Sequence, residues 1–172
     1  MEEVIRAIRE RRSIRSYKKD QISEDQLNVI LNAGEYAASG MGQQKVVSVA
    51  VQDPETIALM SKLNAQFMGM DIDPFYGAPT VVVVFGNTES ATTVEDGSLV
   101  IGNMMLAAFA EGVDSCWVHR AKEVFETEEG KDLKAAWGLD DTWVGVGNCI
   151  LGYRDGELPE AAERLPGRII RV

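Results

Sequence analysis

The feature that most limits how this chain can fold is an uninterrupted apolar run, Thr80 to Phe85, which reads TVVVVF. A strand with one solvated face alternates apolar and polar residues, whereas a strand that is apolar throughout is covered on both faces. The run therefore predicts a central strand in a sheet that has other elements packed above and below it.

The segments around this strand supply the other elements. Apolar residues at helical spacing predict a helix over residues 2–10. Ser23, with Gln26 three residues later, forms a capping box that begins a second helix, and Asp53-Pro54 begins a third. The longest helix is expected over residues 94–111, and because it is apolar almost all round we expect it to be buried. The remaining predictions are a helix around residues 131–137 and strands over residues 46–51, 113–118, 143–151 and 168–172.

This order of elements predicts an α+β domain with one mixed sheet and helices on its faces. The whole chain, residues 1–172, fits one domain, because domains usually contain about 100–200 residues. The sequence contains no internal repeat, low-complexity segment or linker that would divide it.

Charge and cysteine content narrow the possible partners. The chain has 27 acidic and 17 basic residues and a net charge of −10, which repels nucleic-acid phosphates and anionic lipid headgroups. Two separated cysteines, Cys116 and Cys149, and one histidine, His119, cannot form a zinc site of the usual composition. The N-terminal segment lacks the apolar core of a signal peptide, and no apolar run approaches the roughly 20 residues that span a bilayer. We therefore expect a cytoplasmic protein that binds neither nucleic acid, membrane nor metal.

One short segment, Arg11-Arg12-Ser13-Ile14-Arg15, stands out from this acidic background because it holds three arginines and a hydroxyl. In an extended stretch after a helix, Ser13 and Arg15 share a face. Planar guanidinium donors suit a phosphate or the carbonyl edge of a ring. The other interpretation is a solvated helix end, where basic residues are stabilised by the helix dipole.

Together with this segment, several motifs occur in an order that resembles the nitroreductase family of FMN enzymes along the whole chain. Residues 11–15 match the family's RRSxR-type motif, and residues 38–44, ASGMGQQ, are similar to its loop of small residues. The other similar segments are Tyr76-Gly77-Ala78-Pro79, Gly102-Asn103-Met104-Met105-Leu106-Ala107-Ala108 through Gly112, Ser115-Cys116-Trp117-Val118, Ile150-Leu151-Gly152-Tyr153 and Arg164-Leu165-Pro166.

The resemblance implies an α+β fold with a central mixed, mainly antiparallel sheet flanked by helices. It also implies a homodimer with two FMN molecules at the interface. Within one chain, Arg11, Ser13 and Arg15 are expected to hold the ribityl phosphate and the pyrimidine edge of the flavin. Arg12 falls at a further flavin-contacting position, and Arg164 would be a second phosphate ligand.

Two other segments are implied to complete the flavin site. One approaches the flavin from the partner chain, and the other lies along its reactive edge, largely through backbone groups near N5 and O4. The residues of the first are Ser39, Gly40, Met41 and Gln44, and those of the second are Cys116, Trp117, Val118 and His119.

The chain departs from the family pattern in the residues that flank these segments. Many members have Asn at the position of Gly42 and Pro-Trp where this chain has Lys45-Val46. Ala162 stands where some members carry a lysine for the phosphate. The chain is also shorter than many relatives, which implies a more open pocket.

The implied activity is electron transfer from NADH or NADPH to a small aromatic, quinone or nitro-type acceptor, by ping-pong hydride transfer. Flavin carries the redox chemistry, so no catalytic side chain is assigned, and the sequence contains no Rossmann fingerprint. Arg15 with Arg12 is expected to stabilise negative charge near N1 and O2. His119 is a candidate proton donor, although a lone histidine after a strand is also typical of an exposed, hydrogen-bonded side chain.

Two alternatives remain open at the level of the sequence. The chain could store or sense FMN without rapid turnover, or it could be a nonenzymatic dimer whose arginine segment contacts an acidic partner. Motifs for flavin binding do not separate nitro, quinone, enone and dehalogenation chemistry, because substrate choice depends on loops and lids.

Overall fold

The apolar run forms the centre of a four-stranded sheet in the computed structural model, which describes residues 2–172. Met1, the first residue of the predicted domain, lies outside the described residues. The strands are β1 (Val46–Val51), β2 (Thr80–Asn87), β3 (Asp114–Val118) and β4 (Trp143–Gly152). The helices are α1 (Glu2–Glu10), α2 (Glu24–Glu35), α3 (Pro54–Met68), α4 (Thr93–Ala110), α5 (Ala121–Glu126) and α6 (Glu128–Ala136).

The sheet has the order β1-β2-β4-β3, and each pair of neighbouring strands is antiparallel. A register shift between Val84 and Phe85 interrupts the pairing of β2 with β4. An isolated bridge between Ser13 and Ser115 adds a parallel contact at the outer side of β3. The mixed, mainly antiparallel sheet flanked by helices is therefore confirmed.

Both faces of β2 are buried, as the run of apolar residues predicts. Alternate residues of a strand point to opposite faces, so Val81, Val83 and Phe85 join one core while Val82 and Val84 join the other. Helices α3, α5 and α6 contribute to the first core, and α2 and α4 contribute to the second. Each core is therefore shielded from solvent by the helices on its own side of the sheet.

Several helix boundaries follow directly from the residues that begin them. The Ser23 hydroxyl accepts a hydrogen bond from the Gln26 N–H, and the Gln26 side chain accepts one from the Ser23 N–H, so the capping box is confirmed. Asp53 caps α3 through the Thr56 N–H, with Pro54 in the first turn, also as predicted.

Two expectations were wrong, and one helix was not predicted. Helix α4 is only partly buried, because the sheet and α2 leave part of its surface uncovered. Val94 and Leu99 on that surface are at least half exposed. Residues 168–172 form no strand in this chain, because no edge strand lies alongside them, and they are exposed. Helix α5 was not predicted, because six residues are too few to show a helical period.

No helix in residues 2–172 is both long and apolar enough to cross a membrane.

We predict that Gly97→Ala destabilises the fold although alanine is the better helix former by about 1 kcal/mol. A Cβ at Gly97 would lie 2.7–2.9 Å from the side chain of Val146, which leaves no room between α4 and β4. The expected loss of unfolding free energy in urea is about 1–3 kcal/mol. The neighbouring Ser98→Ala is the matched control and should change it by less than about 0.5 kcal/mol. Equal stability of Gly97→Ala and wild type would contradict this packing.

We also predict a loss of stability at alkaline pH that depends on Cys149. Burial raises the pKa of this thiol to about 12, above its unfolded value of about 8.5. The stabilisation is therefore complete below about pH 8.5 and is lost as pH rises from there towards the folded value. Between pH 8 and 10 the unfolding free energy should fall by about 1–2 kcal/mol more in wild type than in Cys149→Ala. Parallel pH profiles of the two proteins would show that the thiol is not responsible.

Candidate functional site

The arginine segment leaves α1 and runs along the outer strand β3. The Arg11 N–H still donates to the Ala7 carbonyl (3.0 Å), whereas the Ile14 N–H donates to the Ser115 carbonyl (3.1 Å). Ile14 is buried, so the alternation of an extended chain turns its neighbours Ser13 and Arg15 to the opposite side of the backbone. The segment is thus held by a buried side chain and a backbone bond, while its polar groups remain available.

Several buried donors without hydrogen-bond partners lie in this segment or beside it. Arg12 Nη1 donates to the carbonyls of Arg9 (2.7 Å) and Arg11 (2.9 Å). Arg12 Nε and Arg11 Nη1 are buried and have no hydrogen-bond partner within residues 2–172, and the same is true of the Ser115 hydroxyl. A buried donor without a partner is costly, and more so when it is charged. These groups therefore fit a bound molecule that is anionic or rich in acceptors.

The same segment lies against Cys116, whose side chain points into the core. Burial raises the pKa of Cys116, while the charges of Arg15 and Arg11 and contact with the Ser13 hydroxyl lower it to a smaller extent. Because burial has the larger effect, the raised pKa favours the protonated, weakly nucleophilic form of the Cys116 thiol. Cys116 consequently contributes packing and backbone groups to this part of the molecule.

The end of β3 is held by two buried asparagines that the sequence did not reveal. Asn148 Nδ2 donates to the Val118 carbonyl (3.2 Å), and Asn64 Nδ2 donates to the His119 carbonyl (2.8 Å). In a trans peptide the N–H points opposite to the carbonyl. The N–H groups of His119 and Arg120 therefore face away from the asparagines, and neither donates to another group of the described chain. The exposed His119 side chain stands beside them.

The predicted partner-side loop begins with Ser39 and forms a tight turn over Gly40–Gly42. The Gln44 N–H donates to the Ser39 hydroxyl (3.0 Å), which closes the loop on itself. Met41 has a left-handed backbone, φ 52, and its side chain is 88% exposed. The loop thus presents its small residues and Met41 outward.

One chain does not bring the two groups of candidate residues together. The loop leads into β1, whereas the arginine segment pairs with β3, and these strands are the opposite edges of the sheet. Arg164 lies in the exposed C-terminal segment and makes no hydrogen bond or ion pair with other candidate residues in the described chain. The candidate residues therefore form two separate groups. The group along β3 contains Arg11, Arg12, Ser13, Arg15, Cys116, Trp117, Val118 and His119. The group before β1 contains Ser39, Gly40, Met41 and Gln44.

Two surface grooves lie outside the arginine segment. One of about 1130 Å³ runs between α3 and the loop before β2 and is lined in part by Ile57, Met70 and Ile72. It contains none of the predicted site residues. Another of about 720 Å³ is lined by Ser39 and Gln44 together with the end of α2. The size of a groove therefore does not identify the candidate site in this chain. The position of the buried, unpartnered hydrogen-bond donors identifies it instead.

Comparison with known proteins agrees with the motif order. Residues 8–70 and 64–153 match the model of the nitroreductase family. An Archaeoglobus fulgidus protein with the provisional name NADH dehydrogenase/NAD(P)H nitroreductase is 31% identical over 180 residues, which cover 99% of this chain and 98% of that protein. An FMN reductase [NAD(P)H] of Bacillus subtilis is 38% identical over 76 residues, 44% of this chain and 30% of its own.

Solved structures show the same relationship at the level of the fold. A nitroreductase with bound FMN from Bacteroides fragilis superimposes with a TM-score of 0.90 at 30% identity, covering 98% of both chains. An FMN-dependent nitroreductase from Clostridium difficile superimposes with a TM-score of 0.88 at 24% identity, again over 98% of both chains. With sequence, motif order and fold in agreement, the chain belongs to the nitroreductase family.

Proposed function

We propose that this protein is an FMN-dependent oxidoreductase that acts as a homodimer. It takes electrons from NADH or NADPH and passes them to a small aromatic, quinone or nitro-type acceptor, with ping-pong kinetics. The observation that carries the proposal is the set of buried, unpartnered donors on Arg11, Arg12 and Ser115. The names of the relatives, an NAD(P)H nitroreductase and an FMN reductase, support the same activity.

The donor set fits the chemistry of FMN. Its phosphate is an anion, and the carbonyl edge of its pyrimidine ring accepts hydrogen bonds, so both suit planar guanidinium groups. Arg11, Ser13 and Arg15 would hold these parts, with Arg12 at a further contact. Arg164 would reach the phosphate only if the C-terminal segment, which is exposed in a single chain, packs against the site.

The residues of the chain would tune and orient this chemistry. When bound, FMN supplies the redox step, because it can accept a hydride from a reduced nicotinamide and give it to a second substrate. Positive charge on Arg15 and Arg12 beside the pyrimidine ring would stabilise negative charge there, and the arginines are already in place before reaction. The outward N–H groups of His119 and Arg120 would donate to the acceptor atoms along the reactive edge. His119 would be the nearest side chain able to carry a proton.

A second copy of the chain would complete the site. The loop 39–44 and the arginine segment lie at opposite edges of one sheet, so the loop of one chain would meet the arginines of the other. Exposed apolar side chains on α1 and the outer face of α4 are available for such an interface, and apolar surface of this extent marks contact sites. These side chains are Val4, Ile5, Ile8, Val94 and Leu99.

A mixed dimer tests this proposal directly. One chain carries Arg15→Glu, and the other carries Gly40→Leu, whose Cβ would lie 2.2 Å from the Thr92 hydroxyl and displace the loop. FMN is titrated into each apo homodimer and into the mixed dimer, purified with two different tags. Arg15→Glu removes a charged hydrogen bond and should weaken FMN binding about 10- to 100-fold in its homodimer. Gly40→Leu should also weaken binding in its homodimer, because the displaced loop no longer meets the flavin.

The mixed dimer should regain one site of wild-type affinity per dimer, because one site would receive both intact halves. A wild-type dimer with the same two tags is the control and should bind two FMN molecules. If the loop acted on its own chain, the mixed dimer would contain two damaged sites and no recovery would be seen. A wild-type protein that binds no FMN would contradict the proposed function itself.

A further inference from the structure

Asp96, in the first turn of α4, is a buried carboxylate that pairs with no cation among residues 2–172. Its side chain is 3% exposed, and burying a charge is costly unless hydrogen bonds compensate. Oδ1 accepts a hydrogen bond from the Gly40 N–H (2.9 Å). Oδ2 accepts from the hydroxyls of Thr92 (2.9 Å) and Ser90 (3.3 Å). The carboxylate therefore joins the loop before β1 to the start of α4.

The loop approaches α4 so closely that only glycine fits at its contact point. A Cβ on Gly40 would lie 2.2 Å from the Thr92 hydroxyl. The following residues, Met41 and Gly42, both have positive φ, 52° and 66°. A non-glycine residue in this conformation persists where surrounding contacts hold it. The hydrogen bond that the Gly40 N–H donates to Asp96 ties the turn to a side chain outside the loop.

We propose that Asp96 is a positioning residue for the flavin site. It holds Gly40, and through Gly40 it sets the surface that Ser39, Gly40 and Met41 present to the flavin of the partner chain. This inference rests on the proposed function. The Asp96 side chain itself is buried beneath the loop, so its influence on the flavin passes through the backbone of residues 39–41.

Asp53 offers a matched control, because its carboxylate binds the same kinds of donor without touching the loop. It accepts hydrogen bonds from the Thr56 N–H (2.8 Å) and the Thr56 hydroxyl (2.6 Å) at the start of α3. Removal of either carboxylate should lower the melting temperature. Only removal of Asp96 should loosen the loop that faces the flavin.

The test compares Asp96→Ala, Asp96→Asn and Asp53→Ala with wild type in two measurements. FMN affinity is measured by fluorescence titration of the apo dimer, and hydrogen exchange of residues 39–44 is followed by mass spectrometry before FMN is added. Asp96→Ala should weaken FMN binding about tenfold or more and speed exchange in the loop. Asp96→Asn should stay within about threefold, because its amide oxygen can still accept from Gly40. Asp53→Ala should change neither measurement.

If Asp96→Ala does not fold, Thr92→Val replaces it. This change keeps the carboxylate but removes one of the hydrogen bonds that hold it in position to accept from Gly40. It should raise the dissociation constant for FMN and the rate of hydrogen exchange in the loop. The positioning role would be overturned if Asp96→Ala bound FMN with wild-type affinity, or if Asp53→Ala lost as much FMN affinity as Asp96→Ala. Either result would leave the proposed FMN-binding function standing. A wild-type dimer that binds no FMN would overturn the proposed function, and this inference with it, before any variant is compared.

Discussion

Strand β2 is buried on both of its faces, and this burial determines where the helices and the other strands can lie. Eight consecutive residues of this strand are buried, so helices must cover the sheet on either side. Helices α2 and α4 form one layer, while α3, α5 and α6 form the other. With β2 and β4 enclosed at the centre, β1 and β3 become the two edge strands of the sheet.

The two edges explain why the proposed site needs two chains. The arginine segment is fixed along β3 by the buried Ile14 and its bond to Ser115. The loop that precedes β1 is fixed at the other edge by its bond to Asp96. Because the two halves are attached to opposite edges of one sheet, a complete site would form only where residues of one copy meet those of another. The exposed apolar face of α4 fits the same arrangement.

Much of the fold was predictable because its determinants are local. The apolar run gives β2, the Ser23 capping box gives the start of α2, and Asp53-Pro54 gives the start of α3. The composition of residues 11–15 likewise indicated the candidate site. The role of Asn64 was not predictable, because its side chain donates a hydrogen bond to the carbonyl of His119, 55 residues away. Asn148 likewise donates to a distant backbone carbonyl, and Asp96 accepts from a distant backbone N–H. The exposure of α4 was missed because an apolar composition does not show which faces of a helix the rest of the chain will cover.

Anaerobic reduction of the FMN-loaded protein shows whether the chain is an NAD(P)H oxidoreductase. Purified apo-protein is loaded with FMN, excess FMN is removed, and the visible flavin absorption is followed after NADH and then NADPH are added. We expect the flavin bands to persist after removal of free FMN and to bleach rapidly with at least one nucleotide. Flavin that stays bound but is not bleached by either nucleotide would contradict an NAD(P)H oxidoreductase.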